Sequence, residues 1–87
     1  MYLHLGDEVM AKNRQIIGVF DLDTSTVTRA TRDFLAEAQK KGMVVNIGEN
    51  LPKSFVLCEE NGSYKVYISP LAASTLRRRA QNSRSFE

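Results

Sequence analysis

The stretch SFVLCEENGSYKVYIS, residues 54–69, decides the fold. Two runs of alternating apolar and polar side chains are separated by the dipeptide Asn61-Gly62. Asn-Gly in this setting is the strongest short-range signal for a β-hairpin with a two-residue type I′ turn. Such a turn sets the register of the two strands, beginning with Glu60 opposite Ser63. The further predicted pairs are Cys58 with Lys65, Leu57 with Val66, and Phe55 with Ile68.

The alternation predicts different environments for the two faces of this hairpin. The face expected in the core carries Phe55, Leu57, Tyr64, Val66 and Ile68. The face expected to be half-exposed, or to meet another subunit, carries Val56, Cys58, Lys65 and Tyr67. Because Tyr64 and Tyr67 fall on opposite faces, they cannot form a joint platform for stacking single-stranded bases.

Further strands are predicted on the N-terminal side of the hairpin. These are residues 2–5, 8–11, 16–22 and 43–47. Lys12-Asn13-Arg14 is predicted as a polar turn between the second and third strands. Residues 16–22 are apolar on both alternating faces, which predicts a central strand covered on both sides.

Two helices complete the prediction. Residues 23–26 offer several N-caps for a helix of about 17 residues that ends at Gly42. Its apolar side carries Val27, Ala30, Phe34, Leu35 and Ala38. Ser69-Pro70 is predicted to open a short C-terminal helix that runs to about Ala80 or Gln81. The expected fold is α/β of the α+β type, with a small mixed or antiparallel sheet, one long amphipathic helix and one short helix.

Composition indicates a single soluble domain. The chain has 87 residues, of which 43% are hydrophobic and 25% charged, and these values are ordinary for a globular protein. We expect one domain over residues 1–81 and a flexible polar tail over residues 82–87. No apolar run approaches the roughly 20 residues that span a bilayer, and the N-terminus lacks the pattern of a secretory signal. We therefore predict a cytoplasmic protein without a membrane partner.

Asp21 and Asp23 follow the apolar strand in the stretch VFDLDTST, residues 19–26. Two carboxylates with this spacing resemble the nucleophile and general acid of a small phosphotransferase. The lysine and the second acidic pair that such an enzyme needs have no clear counterparts in the sequence. A local role is favoured instead, because carboxylates are stabilised at the positive end of a following helix. We expect no catalytic residue, no metal and no cofactor.

The chain contains one histidine and one cysteine. His4 lies in an alternating strand without a second imidazole or thiol nearby in sequence, which favours a hydrogen-bonded histidine over a metal ligand. Cys58 lies in a hairpin strand and is expected to be a buried, unreactive thiol.

Positive charge is concentrated at the C-terminus. Residues 1–76 carry a net charge of −1, whereas residues 77–87 carry +3. In a helix, Ala72 or Ala73, Leu76 and Ala80 form an apolar stripe. Arg77 and Arg79 flank this stripe and Arg78 points away from it. Their guanidinium groups suit phosphate oxygens or carboxylates, although arginines near a helix C-terminus also complement its dipole. Together with Arg84, this run on a slightly acidic body predicts binding of an anion or a protein partner.

Two loops add further cations to this set. Lys12 and Arg14 precede the third strand, and Lys53 precedes the hairpin. Loops are where binding residues concentrate. Because the hairpin leaves a half-exposed face and edge strands need covering, we also expect a homo-oligomer.

Four segments together resemble one known family. They are MYLHLG, IIGVFDLDTSTVTRATRDFL, VVNIGENLPKSFVLC and VYISPLAASTLRRRA, which span nearly all of residues 1–80. They look like the RemA/RemB family of extracellular-matrix regulators, and more like its RemB branch. The resemblance implies a small protomer that assembles into a closed ring.

The RemA branch of that family implies a DNA-binding transcriptional regulator that promotes biofilm-matrix gene expression, with DNA wrapped around the ring. In that branch an Asn-Arg pair precedes the central strand and its arginine is needed for function, and Asn13-Arg14 matches this pair. Two adjacent arginines in the loop before the hairpin contact DNA in that branch. Asn50 and Leu51 occupy these positions here, and Lys53 is the remaining cation of the loop.

The leading hypothesis is a non-catalytic, ring-forming regulator that binds double-stranded DNA through phosphates and has no small-molecule substrate. Its DNA-binding residues are predicted to be Lys12, Arg14, Lys53, Arg77, Arg78 and Arg79. The first alternative is a ring-forming protein-interaction module without DNA binding. The second is a small phosphotransferase that uses Asp21 and Asp23.

Overall fold

A computed structural model describes residues 2–25 and 28–84 of the chain. Within these residues, six strands and three α-helices are present. In chain order they are β1 (Tyr2–Gly6), β2 (Val9–Lys12), a 3₁₀ turn (Asn13–Gln15), β3 (Ile16–Asp21), α1 (Leu22–Ser25), α2 (Arg29–Lys40), β4 (Val44–Asn46), β5 (Ser54–Glu60), β6 (Ser63–Ser69) and α3 (Ala73–Arg84). None of the described helices is both long enough and apolar enough to cross a membrane.

The strands form two sheets. A four-stranded sheet has the order β3-β5-β6-β4, and β1 pairs with β2 in a separate antiparallel hairpin. In the larger sheet, β3-β5 and β5-β6 are antiparallel, whereas β4 is parallel to β6. The predicted α+β class with a mixed sheet is therefore confirmed.

The β5-β6 hairpin has the predicted turn and register. Asn61 and Gly62 have positive φ angles of 51° and 83°, as a type I′ turn requires. All four predicted cross-strand pairs, from Glu60 opposite Ser63 to Phe55 opposite Ile68, are present. The two-residue turn therefore sets the register of β5 and β6, the two central strands of the sheet.

The sheet is covered on both faces, which corrects the prediction of a half-exposed hairpin face. On the first face, called here the α3 face, the β1-β2 hairpin and α3 cover the sheet. Its buried side chains are Leu3, Leu5, Ala11, Ile47, Val56, Cys58, Tyr67 and Leu76. On the second face, called the α2 face, the buried side chains are Ala38, Phe55 and Val66. Tyr64, expected in the core, is 47% exposed and lines an open groove beside α2, so this part of the prediction is wrong.

Strand β3 lies at an edge of the sheet, so the predicted central position is wrong. It pairs only with β5, its register is interrupted between Ile16 and Gly18, and Ile17 is 54% exposed. The apolar side chains at its C-terminal end still pack, since Phe20 stacks on Phe55 with ring centroids 4.9 Å apart. A Cβ atom at Gly18 would lie 2.8 Å from the Phe20 ring, so a larger residue there would displace this ring from its stack on Phe55.

Helix α2 is shorter than predicted. It has 12 residues, and its N-cap is Thr28, whose side chain accepts a hydrogen bond from the Thr31 backbone N–H at 3.2 Å. Residues 22–25 form the separate helix α1, and the predicted cap Thr26 and apolar residue Val27 lie outside the described residues. The predicted end at Gly42 is confirmed by its φ of 70°.

Helix α3 begins later and ends later than predicted. Ser69 closes β6 instead of capping the helix, because its hydroxyl donates to the Leu5 carbonyl and accepts from the Leu71 N–H at 3.1 Å. The helix starts at Ala73 and continues to Arg84, so residues 82–84 of the predicted tail are helical, whereas residues 85–87 lie outside the described part. Its predicted apolar stripe is confirmed, because Ala73 and Leu76 are buried.

Candidate nucleic-acid interface

Asp21 and Asp23 form a local turn at the end of β3. The Asp21 carboxylate accepts a hydrogen bond from the Asp23 backbone N–H at 2.8 Å. This contact caps the start of α1, as the local interpretation predicts. Residues 2–25 and 28–84 contain no cluster of three or more side chains suited to hold a metal ion.

Cys58 is buried on the α3 face, as predicted. Burial raises the pKa of its thiol to about 11, with a further upward contribution from Glu60 and a downward one from Lys65. Because the thiolate is the reactive form of cysteine, this thiol is protonated and unreactive at neutral pH.

Lys12 and Arg14 lie at the end of β2 and in the 3₁₀ turn, and both are exposed. The Asn13 side-chain amide between them points inward, and neither its nitrogen nor its oxygen has a hydrogen-bond partner among the described residues. The Asn13 amide is therefore turned into the protein, whereas the side chains of Lys12 and Arg14 are exposed on either side of it.

Lys53 and Arg79 line one cleft of about 500 Å³. The cleft lies between the β1-β2 turn, the loop before β5 and the N-terminal approach to α3. Its lining residues are His4, Gly6, Asp7, Asn50, Leu51, Lys53, Pro70, Leu71 and Arg79. The structure thus brings together two of the six predicted DNA-binding residues and the loop in which the RemA branch is expected to carry its arginine pair.

The backbone beneath the two cations is well anchored. The Lys53 N–H donates to the Ser69 carbonyl at 2.9 Å, and its own carbonyl accepts from the Leu22 N–H at 3.1 Å. Arg79 extends from α3, which the fully buried Leu76 holds against the core. Both cations therefore stand on ordered segments.

The three consecutive arginines of α3 have different environments. Arg77 donates from Nη2 to the Val19 carbonyl of β3 at 2.8 Å, so it covers part of the edge of that strand. Arg79 reaches the opposite way, toward His4 of β1. Arg78 points into solvent, as predicted, and makes no ion pair or hydrogen bond with the described residues. Only Arg79 of the three lines the cleft.

His4 is the residue of this cleft that sequence reasoning did not assign to the site. It is hydrogen-bonded, as predicted, with Nε2 to the Asp7 carbonyl at 2.5 Å and Nδ1 to Arg79 Nη1 at 3.4 Å. The alternation of residues 2–5 indicated that His4 points away from the core. The proximity of Arg79, 75 positions along the chain, had no signal in the sequence.

Comparison with known proteins gives a consistent family assignment. The profile of the family described as extracellular matrix regulatory protein A-like, or RemA-like, matches residues 2–80. The chain is 38% identical to extracellular matrix regulatory protein B of Bacillus subtilis (strain 168) over 81 residues, which cover 93% of this chain and 91% of that protein. The family match includes all six strands and the residues that line the cleft. The chain therefore belongs to the RemA-like family of extracellular matrix regulatory proteins and is RemB-like.

Proposed function

We propose that this chain is a non-catalytic, homo-oligomeric regulator of extracellular-matrix genes that binds double-stranded DNA in the cytoplasm. Family membership and the name of the Bacillus subtilis relative support the regulatory role. The observation that carries DNA binding is the convergence of Lys53 and Arg79 on one cleft. The proposal requires no cofactor and no small-molecule substrate.

The chemistry of the cleft suits phosphate groups. A guanidinium group presents several N–H donors that match phosphate oxygens, and a lysine ammonium adds a point charge. Contacts to phosphates position a protein on DNA without reading its sequence. We therefore expect binding that is strong at low salt and nearly uniform across DNA sequences.

The remaining predicted DNA-binding residues lie outside the cleft. Lys12 and Arg14 form a second exposed basic site, and Arg78 a third. For Arg14 the proposal rests on its match to the Asn-Arg pair of the family. Repetition of these weak sites around a ring would add avidity for a polyanion that one protomer lacks.

Arg79→Ala and Lys53→Ala test the proposal. Each variant should reduce the slope of log K against log salt by about 0.9 for every phosphate contact removed. Binding of a labelled duplex is measured by fluorescence anisotropy over a series of salt concentrations. The matched control is Arg32→Ala, since Arg32 is an exposed arginine of α2, which lies on the other face of the sheet. Undetectable binding at low salt, or equal slopes for all three variants, would contradict the proposal.

A ring-forming protein-interaction module without DNA binding is the second candidate, because the contact between Arg77 and β3 withdraws one of the predicted phosphate ligands. That guanidinium is engaged by the Val19 carbonyl rather than presented to the cleft. In this alternative, replacing residues 77–79 by alanine lowers the oligomer mass measured by light scattering. An unchanged mass with weakened DNA binding supports the regulator instead.

A further inference from the structure

The outer face of the β1-β2 hairpin carries four neighbouring side chains. Tyr2 lies opposite Lys12, and His4 lies opposite Met10. Because directly opposed residues of two antiparallel strands project to the same face, these four side chains form one surface. Leu3, between Tyr2 and His4, is buried on the inner face of the hairpin.

This surface is less polar than a solvent-facing one ordinarily is. Along an antiparallel strand, apolar side chains normally face the core and polar ones face water. Here Tyr2 and Met10 are more than half exposed. Tyr2 and His4 are two positions apart on β1, so their Cα atoms are separated by about 7 Å along the strand. Two aromatic rings therefore stand side by side on the outside of the protein.

Contacts at its edge orient the His4 ring. Nε2 lies 2.5 Å from the Asp7 carbonyl oxygen, and Nδ1 lies 3.4 Å from Arg79 Nη1. Hydrogen bonds to imidazole nitrogens lie in the plane of the ring, whichever nitrogen carries the proton. They fix the orientation of the ring without occupying its faces. The imidazole is therefore held in a defined plane, as a stacking surface requires.

Cations lie at both ends of the aromatic pair. At one end, the exposed Lys12 is directly opposite Tyr2. At the other end, the cleft contributes Lys53 and Arg79 against one carboxylate, that of Asp7. A phosphate backbone that runs along β1 can therefore meet a cation before and after the two rings.

We propose that the outer face of the β1-β2 hairpin binds single-stranded nucleic acid, with neighbouring bases stacked on Tyr2 and His4. The cations at the two ends of the pair hold the adjacent phosphates. Aromatic rings beside a cationic groove are the means by which proteins hold unpaired strands. Bases within a duplex are already stacked on one another and cannot reach these rings. The inference therefore goes beyond the proposed function and does not depend on duplex binding.

The tyrosines of β6 provide no equivalent surface. Tyr67 is buried on the α3 face, whereas Tyr64 is exposed on the other face of the sheet. Tyr64 therefore serves as a matched control, because it is an exposed strand tyrosine without an aromatic neighbour on the hairpin.

Tyr2→Ala tests the stacking role in the full-length chain, prepared without an N-terminal tag because Tyr2 is the second residue. Binding of labelled oligo(dT) and oligo(rU) of about 12 nucleotides is measured by fluorescence anisotropy. The two oligonucleotides distinguish DNA from RNA, whose bases offer the same stacking chemistry. Tyr2→Ala should weaken single-strand binding by about 5- to 150-fold and leave duplex binding unchanged. The control Tyr64→Ala should alter neither.

Tyrosine emission gives a readout that a purely structural role would not change. The chain has three tyrosines and no tryptophan, so a base stacked on Tyr2 should quench part of its tyrosine emission. Tyr2→Phe keeps a ring for stacking, so it should bind the strand as the parent chain does but lose that part of the quenching. Tyr64→Phe should retain it.

The outcomes separate this inference from the proposed function. It is overturned by undetectable single-strand binding in the parent chain, or by equal losses of single-strand and duplex binding in Tyr2→Ala. Quenching that persists unchanged in Tyr2→Phe also overturns it. Single-strand binding that depends on Tyr2 supports the inference even where duplex binding is absent, and in that case the proposed function alone fails.

Discussion

The two faces of the four-stranded sheet are covered to different extents. On the α3 face, eight side chains from four strands, from α3 and from the segment after β4 are buried in one cluster. On the α2 face the buried cluster has three members, and grooves of about 260 and 140 Å³ lie on either side of Phe34. Helix α2 contributes only Ala38 to the buried side chains. Stability is therefore expected to depend mainly on the α3 face, which also positions the cationic cleft.

The first prediction compares leucines from the two faces. Leu76→Ala removes a fully buried side chain from the α3 face and should lower the free energy of unfolding by about 2–5 kcal/mol. Leu35→Ala, a half-buried position on α2, should cost clearly less because its surroundings are partly open to water. Urea denaturation of both variants measures the difference, and equal losses would show that α2 is packed as tightly as α3.

The second prediction compares two hydroxyl groups. Ser69→Ala on the α3 face removes a fully buried hydroxyl that joins β6 to the Leu5 carbonyl of β1. Loss of its contacts leaves buried polar groups unpaired, with an expected cost of about 1–3 kcal/mol. Thr28→Ala removes the exposed N-cap of α2 and should cost about 1 kcal/mol. Urea denaturation measures the free energy of unfolding of both variants. A larger decrease for Thr28→Ala than for Ser69→Ala would contradict this prediction.

The third prediction concerns alkaline pH. The pKa of the Cys58 thiol is raised from 9.0 to about 11 in the folded chain, so the unfolded chain loses the thiol proton first. Stability from the buried neutral thiol is complete below pH 9 and is lost progressively as pH rises toward about 11. Unfolding free energies at pH 8 and pH 10 should show this loss in the parent chain. The Cys58→Ala variant is the control, and an identical pH dependence in it would assign the effect to other groups.

The cleft illustrates how far a site can be predicted from sequence. Lys53 and Arg79 were both identified as candidate phosphate ligands from their positions in a loop and in an arginine run. Their convergence was not predictable, because it depends on how α3 crosses β1 and on the backbone bonds that fix the loop at Lys53. The role of Arg77 at the edge of β3 was missed for the same reason.

By itself, the sequence determined the parts of this protein that depend on neighbours in the chain. The type I′ turn at Asn61-Gly62 and its register follow from backbone preferences of two residues. The end of α2 at Gly42 and the apolar stripe of α3 follow in the same way.

Tertiary structure alone decided which surfaces are covered. The apolar run of residues 16–22 is compatible with a central strand or an edge strand. In the folded chain β3 pairs with β5 on one side only, which makes it an edge strand. Val56, Cys58 and Tyr67 are buried because a hairpin and a helix distant in sequence lie over them. Burial and convergence of charge are properties of segments brought together by folding, and local alternation carries no information about them.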